Sequence, residues 1–188
     1  LKFYGIYSTA VPSSKDEDPE PNCYRSPGYP LFLYPFLATS RTLEEFLGTV
    51  AASQGIVAAL AVLLTYFLTR SCMPVPAAFA AGLLTALCPP LISLTHFRLT
   101  ETLYVFTMML SCILLIISWR SKRLIYSILA GLAFGFAVLI RPMSMLMAPF
   151  AALVYFLKPR QWSFASKTFF LPRIACLLAG FFMMYSPY

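Results

Sequence analysis

Charge is what this 188-residue chain has least of. Asp, Glu, Lys and Arg together make up 11% of it, against about 25% in an ordinary soluble domain. With 60% hydrophobic residues, a water-soluble globular fold is excluded and a polytopic membrane protein is expected. Histidine is also scarce. His96 is the sole one, so no second imidazole can join it around a metal ion. The five cysteines, Cys23, Cys72, Cys88, Cys112 and Cys176, form no CxxC pair. Three lie in apolar runs, where Cys behaves as a small hydrophobe, which speaks against a zinc site or a disulfide framework. No signal-peptide pattern of basic, apolar and small-residue regions opens the chain. It begins at Leu1 and ends at Tyr188 inside an apolar run, so a piece of a longer protein is expected. The net charge of +7 does not indicate nucleic-acid binding. The basic residues sit in short clusters between apolar runs, a pattern that sets membrane orientation.

What is present falls into two parts. Residues 1 to 45 read as a non-cytoplasmic loop with an interfacial helix. Residues 46 to 188 read as a transmembrane helical domain, incomplete at both ends. The fold class expected is all-α, a polytopic transmembrane bundle of about six spans. The loop is polar and Pro-rich, with SSKDEDPEP at its centre. It leads into CYRSPGYPLFLYPFL, Cys23 to Leu37, where three prolines and a glycine forbid a regular helix at the start. Tyr24, Tyr29 and Tyr34 are amphipathic rings suited to a bilayer interface. Residues 31 to 38 are too short to cross a hydrocarbon core of ~30 Å. They read as an interfacial helix broken near Pro35.

The spans follow in order. The first runs from about Phe46 to Thr69. The second, about Pro76 to Leu94, contains Pro89-Pro90 and should kink or stop early. The third is Thr102 to Trp119 and the fourth Leu124 to Ile140. The fourth carries Gly131 and Gly135 at the spacing that lets a neighbouring helix approach closely. The fifth, Pro142 to Leu157, contains Pro149. The sixth starts near Leu171. Alternating connections place Arg70, Arg120, Lys122, Arg123, Lys158, Arg160, Lys167 and Arg173 on one side, which is cytoplasmic by the positive-inside rule. All seven acidic residues, Asp16, Glu17, Asp18, Glu20, Glu44, Glu45 and Glu101, then fall on the other side.

The outer face holds few groups capable of chemistry. The second-to-third connection, LTHFRLTETL, supplies His96, Arg98 and Glu101. The fourth-to-fifth connection is little more than Arg141-Pro142. Charges at membrane edges are costly unless paired or useful. Each also has a plain structural reading. Arg98 and Arg141 can snorkel to headgroups, His96 can be an ordinary interfacial side chain, and Glu101 can serve as a helix N-terminal charge. The acidic run Asp16 to Glu20 can be a solvated loop.

Three stretches together resemble one family. RSPGYPLFL enters the membrane, LTETL opens a span after one that contains Pro-Pro, and GLAFGFAVLIRPMSML crosses the fourth and fifth spans. In order and spacing these resemble the GT-C membrane glycosyltransferases, in particular the dolichyl-phosphate-mannose protein mannosyltransferases and aminoarabinose transferases (glycosyltransferase family 39-like). The terminal SPY is similar to the ending of the next span in that family.

The resemblance implies transfer of a sugar from a polyprenyl-phosphate donor to a protein, lipid or glycan acceptor on the outer face of a cell (inner) membrane. Nucleic acid plays no part. It implies that Arg25, Arg98 and Arg141 bind the donor phosphate and that Glu101 is a site residue. Tyr24, Tyr29 and His96 would line the substrate pocket. The family's catalytic base lies well upstream of the RxPGYP motif, so it is expected before Leu1, with Asp16 as a substitute. The chain alone would then be inactive. No cofactor is implied with certainty, and a divalent metal stays open.

A non-catalytic transporter or lipid-handling protein is the alternative, and the intramembrane prolines fit broken transporter helices. The absence of charge in the middles of the spans and of an inverted repeat speaks against it. A third reading, a structural or assembly subunit, would use the Gly131/Gly135 face to dock a partner helix.

Overall fold

The computed structural model describes residues 26–89, 91, 100–121, 123–147, 150, 151, 153 and 170–185. Among them the chain is all-helical: α1 (Gly28–Thr39), α2 (Leu43–Arg70), α3 (Val75–Ala86), α4 (Thr100–Arg120), α5 (Ile125–Ile140), a 3-10 turn (Pro142–Leu146) and α6 (Phe170–Tyr185). α2 and α4 are long and apolar enough to cross a membrane. α3, α5 and most of α6 are shorter apolar helices. Most of the apolar surface of α2 faces outward. Ile56, Leu60, Leu63 and Phe67 form an exposed stripe at helical spacing. An exposed stripe of that length belongs against lipid or further protein, not water.

The entry stretch departs from expectation. A helix starts directly at Gly28 and runs through Pro35 to Thr39 without a break. Pro27 caps it, and its carbonyl accepts from Leu31 N at 3.0 Å. Pro30 falls in the first turn, where its missing N–H is not needed. Pro35 removes one bond, but it lies on the outward face with Leu31 and Tyr34. The inner face is undisturbed, and Leu33 packs there with Phe46 and Val50 of α2.

α2 begins ahead of the expected Phe46. Thr42 caps it by accepting from Glu45 N at 3.2 Å, while Glu45 Oε2 accepts from Arg41 N at 2.9 Å. This is a local variant of the capping box. α3 ends at Ala86, ahead of Pro89-Pro90, so the expected early stop is present. Pro90 and residues 92–99 lie outside the described residues, as do Pro149 and the end of the fifth span. That span opens with a 3-10 turn rather than an α-helix. Ser144 N and Ser144 Oγ both return to the Arg141 carbonyl, at 3.1 and 2.7 Å.

The tightest seam is α5 against α6. A Cβ added at Gly131 would collide with the Leu177 carbonyl, and one at Gly180 with the Ile128 carbonyl. The two helices therefore approach backbone to backbone, as the GxxxG spacing predicted. Within a bilayer such close packing, rather than water exclusion, drives helix association. Phe134, Val138, Leu177 and Phe181 fill the space beside the glycines. α4 closes on α5 through Ser118 and Ser127, whose hydroxyls lie 2.6 Å apart in the buried interface.

The bundle has two chemically distinct ends. At one, Arg120 Nη2 donates to Ser71 O at 2.6 Å. Arg173 Nη2 donates to Ser121 O at 2.5 Å and Nη1 to Trp119 O at 3.5 Å. These bonds join the C-terminal ends of α2 and α4 to the start of α6. At the other end lie the start of α1, the start of α4 and the end of α5.

Candidate functional site

The second end is built around Arg141. Pro142 disfavours a helical conformation at the residue before it, so α5 stops at Ile140 and Arg141 is extended (φ −139°, ψ 109°). Its N–H still donates to Ala137 O at 2.9 Å. Its carbonyl takes both Ser144 donors, and Ser144 is buried. The backbone of Arg141 is thus held by three hydrogen bonds while its side chain is left to project.

That side chain meets α4. Arg141 Nη2 lies 3.4 Å from Glu101 Oε1, and the guanidinium sits 5.8 Å from the centroid of the Tyr104 ring. Glu101 and Tyr104 are three residues apart on one helix and so share a face. Glu101 stands in the first turn of α4, where the helix dipole favours a negative charge. Arg141 is 42% exposed and Glu101 25%, so the cluster opens outward. A guanidinium presents five donors. Among the described residues only Glu101 forms an ion pair with this one, leaving donor capacity for an anion on the open side.

The entry motif reaches the same place. A Cβ on Gly28 would lie 2.6 Å from Leu139 C, 2.7 Å from Leu139 O and 2.8 Å from Ile140 N. Only glycine lets α1 lie against the last turn of α5, directly before Arg141. The starts of α1 and α4 and the end of α5 therefore converge.

Of the residues singled out in the sequence, Glu101 and Arg141 come together. Tyr29 is placed in the α1–α2 interface, where its hydroxyl accepts from Gln54 Nε2 at 2.8 Å. Asp16, Tyr24, Arg25, His96 and Arg98 lie outside the described residues. Three further residues belong to the arrangement: Tyr104, Ser144 and Gln54. Gln54 had the clearest signal, an amide inside an apolar span, which is expensive there and so marks a purpose. Tyr104 and Ser144 are signalled only by lying three residues beyond Glu101 and Arg141. Among the described residues, no group of three or more His, Cys, Asp or Glu side chains gathers to hold a metal ion.

The family model described as dolichyl-phosphate-mannose-protein mannosyltransferase matches residues 30–185. The chain belongs to that family. As a member of the dolichyl-phosphate-mannose-protein mannosyltransferase family it is a membrane glycosyltransferase, all-helical in architecture. No curated protein and no solved structure matches it. The match spans α1 from Pro30 through α6, and so includes Glu101, Tyr104 and Arg141.

Proposed function

We propose that this protein transfers a sugar from a polyprenyl-phosphate carrier to an acceptor hydroxyl on the non-cytoplasmic face of a cell membrane, as a multi-pass enzyme. The arginine-rich end, with Arg70, Arg120, Arg123 and Arg173, then faces the cytoplasm by the positive-inside rule. The Arg141 end faces outward. The carrier's phosphate lies at the interface because its lipid tail must stay in the bilayer.

In this reading the acceptor oxygen attacks the anomeric carbon from the side opposite the phosphate. The bond between that carbon and the phosphate oxygen breaks, and its electron pair leaves with the carrier phosphate. Negative charge grows on the phosphate as the bond lengthens. Arg141 offers a forked, fixed pair of donors to that charge, and preorganised donors of this kind are the largest single source of rate enhancement in many enzymes. Glu101 holds the guanidinium in orientation from the α4 side. Arg25 and Arg98 add positive charge from neighbouring segments, and Tyr24, Tyr29 and His96 border the substrate. A base upstream of Leu1, or Asp16 in its place, takes the acceptor proton.

The observation that carries the reading is the 3.4 Å contact of Arg141 with Glu101 in a member of this family. The experiment is sugar transfer by the full-length protein in vesicles containing a polyprenyl-phosphate-linked sugar. Transfer that depends on the carrier phosphate and collapses in Arg141→Ala supports it. Uptake of substrate across the vesicle with no transfer would establish the transporter reading instead.

A further inference from the structure

The arginine-rich end has a charge pattern that the reaction does not use. Four arginines lie around Ser71 and Ser121, and the side chains of two of them bond to these serines. Arg120 donates to Ser71 O, adjacent to Arg70. Arg173 donates to Ser121 O, and Ser121 Oγ in turn accepts from Arg123 N at 3.1 Å. Arg70 Nη1 donates to the nearby Met73 carbonyl, at 3.3 Å. The bonds from Arg120 and Arg173 go to carbonyls at helix C-termini, so these two bind the helices together. Arg70 and Arg123 stay exposed.

No described carboxylate neutralises the group. The described acids are Glu44 and Glu45 in the first turn of α2 and Glu101 in the first turn of α4. α2 and α4 are 28 and 21 residues long, so these acids lie about 30 Å or more away along their helices. That is several Debye lengths at physiological salt, ~8 Å each. Arg173 is almost fully buried, and its Nε has no hydrogen-bond partner among the described residues. A guanidinium desolvated without an anion is costly. A second feature points to the form of an anion that would suit this end. Each arginine has an exposed apolar neighbour two or three residues away: Phe67, Ile117, Ile125 and Leu171. Phe67 and Ile117 lie one turn inward of Arg70 and Arg120, and charge at the tip with apolar surface beneath it matches a lipid with an anionic head.

We propose that this end binds an anionic phospholipid, with the headgroup phosphodiester on Arg70 and Arg123 and the acyl chains along Phe67 and Ile117. The phosphate offsets part of the positive charge of this end, and the acyl chains distinguish the ligand from a free anion. Binding holds the ends of α2, α4 and α6 together. The inference does not depend on the proposed reaction at the other end.

The test uses purified full-length protein in neutral detergent, titrated with phosphatidylglycerol, phosphatidylcholine or inorganic phosphate, and reads the thermal unfolding midpoint and lipid retained in native mass spectrometry. Phosphatidylglycerol should raise the midpoint and be retained, and the other two should not. The preference should weaken as salt rises. Each arginine near an anionic surface contributes a factor of roughly 5, so Arg70→Gln with Arg123→Gln should weaken phosphatidylglycerol binding roughly 30-fold. The corresponding Arg→Lys pair should keep most of it, which separates lost charge from lost folding. Equal response to phosphatidylcholine, a match by inorganic phosphate, a salt-independent preference, or undiminished binding in the glutamine pair would each overturn the proposal.

Discussion

Arg141 and Glu101 meet 3.4 Å apart across the join between α5 and α4, although forty positions separate them in sequence. Neither is held by the other alone. Arg141 is fixed through its backbone by Ala137 and Ser144, and Glu101 by its place in the first turn of α4. The pair is partly exposed, and such pairs contribute only about 0–1 kcal/mol to stability. A contact with little structural value at the convergence of three helix ends is consistent with the role proposed for it in sugar transfer.

Substitution at this pair should therefore damage transfer far more than folding. Arg141→Ala and Glu101→Gln in the full-length protein should each leave membrane insertion and thermal stability near wild type. Loss of one preorganised electrostatic group lowers turnover by about 10²–10³, and Arg141→Ala should fall in that range. Arg141→Lys should recover only part, because an ammonium cannot reproduce the guanidinium fork. Normal transfer in both the alanine and glutamine variants would remove the pair from the mechanism.

Gly28→Ala tests the close approach of α1. Its new Cβ would meet backbone atoms of Leu139 and Ile140 at 2.6 to 2.8 Å, and backbone cannot step aside as a flexible side chain can. Overpacking of this kind costs about 1–3 kcal/mol. The displaced element borders Arg141, so transfer should fall by more than the stability loss explains. Circular dichroism melts alongside a transfer assay would separate the two effects.

How much of this was readable depends on the length scale of the signal. Gly131 and Gly135 announced a close helix seam because four-residue spacing maps directly onto one helix face. Glu101 and Arg141 stood out because charge at a membrane edge is rare. The course of α1 was not readable. Three prolines locally argue against a helix, and their tolerance follows only from where they fall: Pro27 at the cap, Pro30 in the first turn, Pro35 on the outward face. The partnership of Gln54 with Tyr29 links positions 25 residues apart, and no local pattern encodes it.

The glycines make a graded stability prediction. Gly131→Ala and Gly180→Ala drive a methyl into the Leu177 and Ile128 carbonyls of the opposite helix. Each should be strongly destabilising, by about 1–3 kcal/mol or more. Gly135 meets Met184 Cβ at 2.7 Å and the Phe181 carbonyl at 2.9 Å, a smaller overlap than at Gly131 or Gly180, with atoms that the α6 backbone fixes. Gly135→Ala should therefore also destabilise the seam, but by less than the other two. Gly48 and Gly55 have nothing within 4 Å of an added Cβ. Alanine there should be neutral or stabilise α2 by about 0.5–1 kcal/mol. Thermal denaturation of the five variants in detergent would check the ranking. Equal losses at Gly48 and Gly131 would contradict the α5–α6 seam.

The Tyr29–Gln54 bond makes the last case. Gln54 is fully buried on α2, and its Nε2 donates to the Tyr29 hydroxyl, one residue along from the Gly28 contact with α5. Tyr29→Phe removes the acceptor and keeps the ring, so the lost bond should cost about 1–2 kcal/mol in an apolar setting. Gln54→Leu removes the donor with little change in volume. If the two act as one device, the double variant should be less damaging than the sum of the singles, by about 0.5–2 kcal/mol of coupling. Because Tyr29 sits between α2 and the residues that precede Arg141, the same coupling should appear in the transfer rate of the full-length protein. Strictly additive effects in both stability and rate would show that Gln54 does not position Tyr29.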